Sequence, residues 1–331
     1  GEIVDMARDS REDDLVLCTF TGGASALTPA LHPKIPLADM QRLTCMLLEC
    51  GATIHEINTL RKHLSRFSGG SLVRAAFPAT VLGLIVSDVV GDDLDVIASG
   101  PTVPDPSTFA DCLRVVEHYG LRWKMPQSIW AHIEGGLQGR TPETPKADEP
   151  AFGRVRNVLV ASVKQALEAA ADEAARCGFV PRILTTAMSG EARRTAEQLV
   201  AEARRAQAGL RPGDAPLCLL AGGETTVTIR GSGKGGRNQE MALAATLELA
   251  DDRGIDLICV GTDGTDGPTD AAGGYAFSGD LARLRAIGLH PKESLDANDS
   301  YPLLLKAGTL LRTGPTRTNV MDMAIMLVRP K

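Results

Sequence analysis

The order of hydrophobic and polar residues predicts a chain in which strands and helices alternate. Short apolar or β-branched runs predict strands, at residues 15–20, 81–86, 155–161, 180–185, 217–220, 257–260 and 323–328. Longer segments with apolar residues three or four apart predict helices, at residues 37–50, 53–64, 107–119, 126–134, 163–176, 191–208, 238–249, 281–287 and 301–311. This alternation is typical of an α/β fold with three-layer architecture in both halves of the chain.

A segment rich in proline, glycine, threonine and charge, residues 136–154, predicts the boundary between two domains. A chain of 331 residues is long enough for each domain to bury its own core. We therefore predict an N-terminal domain over residues 1–150 and a C-terminal domain over residues 151–331.

The composition is that of an ordinary globular protein. The net charge of −6 gives no general attraction for nucleic acid or for anionic membranes. The seven cysteines lie scattered in apolar patterns, as expected in a reducing compartment. We therefore expect a cytoplasmic protein that acts on a small molecule, with no nucleic-acid or membrane partner; a homodimer stays open.

Two glycine-rich loops flank the predicted helix at residues 238–249. The first loop, residues 231–237, places Lys234 and Arg237 among glycines, where backbone N–H groups and cations favour a bound anion. The second loop, residues 261–267, follows a buried strand and carries Asp263 and Asp266. Cations on one loop and carboxylates on the next indicate phosphoryl transfer.

Within this stretch we assign candidate roles to individual residues. Arg237, Lys234 and Asp263 are the catalytic candidates, and Asp263 and Asp266 are the candidate Mg²⁺ ligands. Asp263 is equally a candidate for accepting the hydroxyl proton. The candidates for holding the nucleotide here are Gly233, Gly235, Gly236, Glu224 and Thr225.

Further candidates lie in the first half of the chain. The turn with Gly22, Gly23 and Ser25 predicts either a second anion-binding loop or a plain strand-to-helix connection. Asp88 and Asp92 follow a predicted strand, at the end where ligands bind in open α/β sheets, and they are candidates for contacting substrate.

The predicted helix at residues 53–64 carries Asn58, Arg61 and Lys62 on its polar side. Such a cluster is usually a solvated face. Because a glycine-rich turn follows at residues 68–71, the alternative is a basic rim that contacts substrate.

A different function is also open. Gly231, Gly233 and Gly236 fit the G-x-G-x-x-G pattern of dinucleotide-binding loops, and Asp263 follows the next predicted strand, where a ribose-binding acid would lie. That interpretation predicts an NAD(P)H-dependent reductase. No Walker A loop, G-x-S-x-G elbow or H-E-x-x-H motif occurs in the sequence.

Several long motifs resemble those of the bacterial and archaeal glycerate 2-kinases, whose C-terminal domain is of the MOFRL type. They are TGGASAL, NTLRKHLS, SDVVGDDLDVIASGPTVPDPST, AGGETTVTIRGSGKGGRNQEMAL, GTDGTDGPTDAAG, NDSY and TGPTRTN. The resemblance implies a Rossmann-like N-terminal domain and a mixed-sheet C-terminal domain with a cleft between them. It also implies transfer of the ATP γ-phosphoryl group to the C2 hydroxyl of D-glycerate with Mg²⁺.

The resemblance also assigns roles and differences. It makes Arg237 the catalytic arginine and the turn with Gly22, Gly23 and Ser25 a phosphate-binding loop. Family members carry a longer segment before this turn, with a catalytic lysine, so we expect the N-terminal domain to be incomplete and that lysine absent here. Hydroxypyruvate reductase, a name some members carry, and a non-catalytic remnant are the alternative functions.

Overall fold

The computed structural model describes residues 1–250 and 252–331, apart from the side chain of Ala26. The chain forms two compact units. Unit 1 consists of Gly1–Val86 and Asp92–Val160, and unit 2 consists of Ser87–Gly91 and Ala161–Lys331. The last change from unit 1 to unit 2, after Val160, lies near the predicted boundary, but the short segment Ser87–Gly91 also clusters with unit 2. The domain limits at residues 150 and 151 stay a prediction.

Unit 1 combines a small sheet with a helical layer. Its strands are β1 (Leu15–Phe20), β2 (Thr80–Val86) and β3 (Val155–Ala161), in the order β1-β2-β3, and β1 pairs with β2 in parallel. Its helices are α1 (Glu2–Arg8), α2 (Ala24–Leu27), α3 (Leu37–Glu49), α4 (Ile54–Leu64), α5 (Ser71–Ala76), α6 (Phe109–His118) and α7 (Gln127–Leu137). Two 3₁₀ segments, Ile97–Ser99 and Pro150–Arg154, complete it.

The core of unit 1 lies between α3, α4, α6 and α7. Leu43, Leu60, Ile129 and Ile133 are fully buried there and belong to one apolar cluster. Because these residues occupy the apolar stripes of their helices, the predicted helical periods are confirmed for this layer.

Unit 2 is built on a six-stranded mixed sheet. Its strands are β4 (Val180–Met188), β5 (Leu217–Gly223), β6 (Ile255–Gly261), β7 (Gly273–Phe277), β8 (Leu310–Leu311) and β9 (Asp322–Val328), in the order β4-β5-β9-β6-β7-β8. Among the pairings described for this sheet, β4 and β5 pair in parallel and the other neighbours pair antiparallel. Its helices are α8 (Val163–Arg176), α9 (Ala192–Ala208), α10 (Arg237–Glu248), α11 (Asp280–Ala286), α12 (Pro291–Asp296) and α13 (Ser300–Ala307).

Helices cover both faces of this sheet, which confirms the three-layer prediction for unit 2. Leu217 and Leu219 of β5 belong to the core formed with α9 and α10. Cys218 and Leu220 of the same strand belong to the core formed with α8. Since successive residues of a strand point to opposite faces, the continuous apolar run of β5 is explained by burial on both sides.

The strand register brings the ends of three strands together. Asp322, the first residue of β9, is paired with Gly223 at the end of β5 and with Gly261 at the end of β6. The glycine-rich and acidic loops both start from this edge. The sheet topology thus places the two loops next to each other within unit 2.

The α/β prediction is confirmed, with local differences. The predicted helix at residues 301–311 ends at Ala307, because Gly308 adopts a left-handed φ of 72° that terminates α13. Residues 310–311 form β8 instead. Strand β7 was not predicted, since its sequence GGYAF shows no clear period. Of the helices described, none combines the length and the apolar character needed to span a bilayer.

Candidate active site

A cavity of about 660 Å³ in unit 2 gathers most of the site residues predicted in the second half of the chain. It lies between the glycine-rich loop that precedes α10 and the acidic loop that follows β6. Its lining comprises Glu224, Thr225, Thr226, Val227, Ile229, Gly233, Gly235, Gly236, Arg237, Glu240, Asp263, Thr265, Asp266, Gly267, Pro268 and Asn298. The cavity therefore joins the predicted catalytic arginine with both predicted metal ligands.

Arg237 is held by two carboxylates at the start of α10. Its Nε donates to Asp322 Oδ2 at 2.6 Å and its Nη2 donates to Asp322 Oδ1 at 3.1 Å, a bidentate pair. Its Nη1 donates to Glu224 Oε1 at 2.5 Å. Burial alone would lower the pKa of Arg237, but Asp322 and Glu224 together raise it above its usual value. The guanidinium is thus fixed in place and fully charged.

Asp266 accepts hydrogen bonds from the backbone at the N-terminus of α10. Its Oδ1 accepts from the backbone N–H of Asn238 at 3.0 Å, and its Oδ2 accepts from that of Gln239 at 2.9 Å. The side-chain amides of both residues donate to the same carboxylate. Burial raises the pKa of Asp266, and these donors oppose the shift. Since Asp266 is 3% exposed and satisfied by protein donors, this geometry argues against the predicted metal role.

Asp263 is the more accessible of the two loop carboxylates. Its Oδ1 accepts from the backbone N–H of Thr265 and its Oδ2 from the Thr265 hydroxyl, both at 2.9 Å. Its backbone carbonyl accepts from the N–H of Thr316 at 3.1 Å, which ties the acidic loop to the turn before β9. Asp263 thus lies at the cavity. Among the residues described, only Thr265 donates hydrogen bonds to its carboxylate.

The glycines of the first loop allow close packing against another part of unit 2. A Cβ at Gly231 would lie 2.2 Å from the carbonyl oxygen of Ala297, and one at Gly233 would lie 2.5 Å from Cβ of Asp299. Asn298 Oδ1 accepts from the backbone N–H of Arg230 and Gly231, at 2.7 and 3.0 Å. The segment from Ala297 to Asp299, which overlaps the NDSY motif, therefore anchors the loop.

That packing removes the basis for the dinucleotide interpretation. A dinucleotide loop connects a strand directly to its helix, whereas β5 ends at Gly223 and α10 begins at Arg237. The intervening residues form no strand, and Gly231 and Gly233 contact protein. The G-x-G-x-x-G match thus reflects packing of the loop.

Lys234 does not line the cavity. Its Nζ lies 4.5 Å from the centre of the Tyr301 ring, and its backbone N–H donates to Asp299 Oδ1 at 2.9 Å. The catalytic role of Lys234 stays a prediction that this position does not support.

Two further predicted residues, Thr225 and Asp88, belong to unit 2. Thr225 is 1% exposed, and its Oγ1 has no hydrogen-bond partner among the residues described, although it lines the cavity. A buried hydroxyl without a protein partner is uncommon, and this one lies in the cavity wall. Burial first, and then the charge of Glu224, raise the pKa of Asp88. Asp92 belongs to unit 1 instead, where its φ is 56° and its Oδ1 is buried without a described partner.

In unit 1 a hydroxyl network connects the turn after β1 to α4. Ser25 Oγ and Ser99 Oγ are 2.9 Å apart, and Ser99 donates to Asn58 Oδ1 at 3.1 Å. Gly23 adopts a left-handed φ of 82° at the start of α2, as the tight turn requires. The predicted binding roles of Gly22, Gly23 and Ser25 stay predictions. Asn58 is 3% exposed, so its amide supports the network from inside.

The basic residues of α4 do not form the solvated face that such clusters usually form. Lys62 is 4% exposed, and its Nζ lies 2.6 Å from Asp95 Oδ2 and 3.6 Å from Asp105 Oδ1. His63 is 1% exposed and lies 3.1 Å from Glu143 Oε2. Because Lys62 is buried in an ion pair, this geometry argues against its predicted contact with substrate. Arg61 differs from Lys62 and His63. It lines a cavity and forms no ion pair with an acidic side chain among the described residues.

Sequence reasoning missed two residues that hold the site together. Asp322 fixes Arg237, and Asn298 fixes the glycine-rich loop. Asp322 is the first residue of a strand that was predicted to start one residue later, so its position at the sheet edge was the available signal. Asn298 has a φ of 54°, a conformation that Asn tolerates better than most residues.

Two family models match the chain. Residues 1–134 match one described as a domain of unknown function, DUF4147. Residues 217–322 match the MOFRL family, a match that includes Arg237, Asp263 and Asp322.

Individual relatives match over nearly the whole chain. It is 45% identical over 331 residues to the glycerate 2-kinase of Pyrococcus horikoshii, covering 100% of this chain and 74% of that protein. It is 44% identical to an Agrobacterium vitis protein with the provisional name hydroxypyruvate reductase, covering 96% of this chain and 70% of that one. The crystal structure of a Thermotoga maritima glycerate kinase matches with a TM-score of 0.90 and 42% identity, covering 99% of this chain and 76% of that one.

Proposed function

The chain belongs to the glycerate kinase family, and we propose that it is a glycerate 2-kinase. The reaction transfers the γ-phosphoryl group of ATP to the C2 hydroxyl of D-glycerate and yields 2-phosphoglycerate and ADP. The oxygen–phosphorus bond to glycerate forms as the bond to the ADP oxygen breaks, and the hydroxyl proton passes to a base.

The arrangement of Arg237 is the observation that carries this proposal. The transferring phosphoryl group spreads negative charge over its oxygens, and a fixed cation stabilises that charge without reorganising. Asp322 holds Arg237 by two hydrogen bonds from a position that is 1% exposed. Glu224, which is exposed, takes the remaining Nη1. An incoming phosphate would replace Glu224 at that nitrogen while Asp322 keeps the guanidinium in place.

We propose that the nucleotide binds in the unit 2 cavity together with Mg²⁺. Arg237 is the one cation among the cavity residues described, whereas Glu224, Glu240, Asp263 and Asp266 are acidic. A polyphosphate alone would be repelled by this excess of carboxylates, so a divalent cation fits the charge balance. Bound there, Mg²⁺ would neutralise part of the phosphate charge.

The residues present fit such an ion. Among the residues described, no cluster of three or more His, Cys, Asp or Glu side chains surrounds one point. Mg²⁺ in phosphoryl-transfer sites commonly takes only one or two carboxylates, with phosphate and water completing its shell. Asp263 and Glu224 would hold it, because the other two carboxylates are already paired. Asp266 accepts hydrogen bonds from the N-terminus of α10, and Glu240 Oε1 lies 2.6 Å from Arg193 Nε.

The test measures ATP-dependent formation of 2-phosphoglycerate from D-glycerate, with and without Mg²⁺. We expect activity with MgATP and its loss when the metal is chelated. We expect the substitution Arg237→Ala to lower kcat by roughly 100-fold, since removing a charge-stabilising donor costs about 3 kcal/mol.

Arg230→Ala is the matched control, because Arg230 is exposed on the same loop and lies outside the cavity lining. It should retain kcat within about twofold. If Arg237→Ala kept the kcat of the unmodified enzyme, Arg237 would not be catalytic. Absence of 2-phosphoglycerate with MgATP would overturn the proposed function. The cytoplasmic location and the homodimer stay predictions.

A further inference from the structure

A second cavity, of about 360 Å³, lies within unit 1. Hydroxyl-bearing side chains and apolar residues form most of its wall. The lining consists of Ser25, Thr28, Pro29, Leu31, Leu37, Met40, Gln41, Thr44, Cys45, Arg61, Ser65, Ser68 and Ser99. Arg61 is the single charged residue among those described in this wall, so the cavity carries a net positive charge.

Arg61 differs from the two basic residues that follow it. The Lys62 ammonium is paired with Asp95 and Asp105, and His63 contacts Glu143. No carboxylate of the described residues forms an ion pair with Arg61. Burial lowers the pKa of Arg61, which reflects the cost of taking this charge partly out of water. A half-buried guanidinium without a counter-ion favours an anionic ligand.

The hydroxyls around Arg61 are arranged on a fixed framework. The hydroxyls of Ser25 and Ser99 form a hydrogen bond, and Ser99 donates a second one to the buried Asn58. The carbonyls of Ser99 and Gly100 accept from the backbone N–H of Gly69 and Gly70, at 2.9 and 2.8 Å. Ala98 and Ser99 both adopt left-handed φ values, of 53° and 59°. Such strained backbone persists where the surrounding contacts enforce it and often lies at functional sites.

We propose that this cavity binds the carboxylate of D-glycerate, with Arg61 as the residue that recognises it. The proposal rests on the proposed function and names the substrate site within unit 1. The flat guanidinium matches a carboxylate by two parallel hydrogen bonds. The neighbouring serine and threonine hydroxyls suit the two hydroxyl groups of a small hydroxy acid.

Charge favours the carboxylate over a nucleotide phosphate as the occupant. ATP carries several negative charges and, with its metal, needs carboxylates as well as cations nearby. The described wall of this cavity holds one cation and no carboxylate, which balances a ligand of charge −1. Arg61 is therefore a specificity-determining residue for the acid.

The test compares binding of D-glycerate and of its uncharged amide, glyceramide, by isothermal titration calorimetry of the full chain without ATP. We expect the unmodified protein to bind D-glycerate roughly 10- to 100-fold more tightly than glyceramide, as loss of a charge-assisted pair predicts. Arg61→Met should weaken D-glycerate binding by a similar factor, and Arg61→Lys should weaken it less. The same variants should raise the KM for D-glycerate and leave the KM for ATP within twofold.

Arg140→Met, a change at an exposed arginine of unit 1, is the matched control and should leave the affinity for D-glycerate unaltered. Equal affinities for D-glycerate and glyceramide, no binding of D-glycerate, or an unaltered affinity in Arg61→Met would each overturn the proposal. A raised KM for ATP alone would assign Arg61 to the nucleotide and would overturn it too. Failure of the proposed function is distinct, because it appears as absence of 2-phosphoglycerate whatever the affinity for glycerate.

Discussion

At the scale of single residues, the neighbours of Arg237 decide what its charge can do. Glu224 is exposed and occupies one terminal nitrogen, whereas Asp322 is buried and occupies Nε and the other terminal nitrogen. A side chain held on one edge and accessible on the other is preorganised for an anion. Asp322 is therefore a positioning residue that acts through Arg237.

Asp322→Asn should lower kcat by roughly 10-fold, because the amide cannot accept both hydrogen bonds from Arg237 and the guanidinium loses its fixed direction. The KM for ATP should change less than kcat. A double-mutant cycle with Arg237→Ala makes the measurement specific. In the Arg237→Ala background, Asp322→Asn should cause no further loss of kcat.

Independent, multiplying losses in that cycle would mean that Asp322 acts by another route. Thermal denaturation of each variant separates a purely structural effect, because a loss of kcat measured well below the unfolding midpoint does not come from unfolded protein. Breaking a buried ion pair from one side leaves an uncompensated charge, so both single variants are expected to lose stability.

At the scale of secondary-structure elements, the glycine-rich loop depends on a distant turn. Gly231 lies against the carbonyl of Ala297, and Asn298 accepts hydrogen bonds from Arg230 and Gly231. Asn298 Nδ2 also donates to Glu240 Oε2 of α10 at 2.9 Å. One asparagine thus connects the loop to the helix that carries Arg237.

Gly231→Ala should destabilise this part of unit 2 by about 1–3 kcal/mol, because its Cβ would meet backbone atoms that cannot rotate away. Gly209→Ala is the control, since its Cβ would meet only the carbonyl oxygen of Ala206 at 3.5 Å, an ordinary contact, and its φ is −85°. Hydrogen exchange of the residue 224–236 loop and of α10 measures the difference. Unaltered protection in Gly231→Ala would contradict the packing role.

The elements predicted well are those whose own sequence determines them. Helices α3, α8 and α9 and strands β1 and β3 have complete periods, so their limits were predicted to within one residue. The buried state of Lys62 was not predictable in this way, because its partners Asp95 and Asp105 lie far along the chain.

The same reasoning explains the site. The composition of the loops indicated phosphate chemistry, and the sheet topology then brought Arg237 and Asp263 to one cavity. A glycine in a sequence can indicate that there is no room for a Cβ atom at that position. It does not indicate whether protein atoms or a ligand lie where the Cβ would be. That ambiguity produced the dinucleotide alternative at Gly231 and Gly233.

At the scale of the whole molecule, lowering the pH should destabilise unit 1. Burial first, and then the charges of His132 and Arg66, lower the pKa of His32 to about 4. Burial likewise lowers the pKa of His132, and the two imidazole centres are 4.4 Å apart. In the unfolded chain these groups titrate near 6.5, so between pH 6.5 and 4 the unfolded state binds more protons.

The free energy of unfolding of unit 1 should therefore be constant above about pH 6.5 and fall as the pH is lowered towards 4. The part due to His32 is about 1–2 kcal/mol, after allowance for the fraction of its ring that stays in water. Both tryptophans, Trp123 and Trp130, belong to unit 1, so their fluorescence during urea denaturation reports this unit selectively.

The comparison of two histidine variants isolates the effect from general acid denaturation. His32→Gln removes the proton-binding group, so the loss of stability between pH 7.5 and pH 4.5 should be smaller than in the unmodified protein. His55→Gln changes an exposed histidine of the same unit and should leave the pH dependence as it is. Because protonation of His32 places charge beside Arg66 and His132, the effect should persist at high salt, where exposed charges are screened. An identical pH dependence in all three proteins would show that His32 is not the group whose protonation opposes folding.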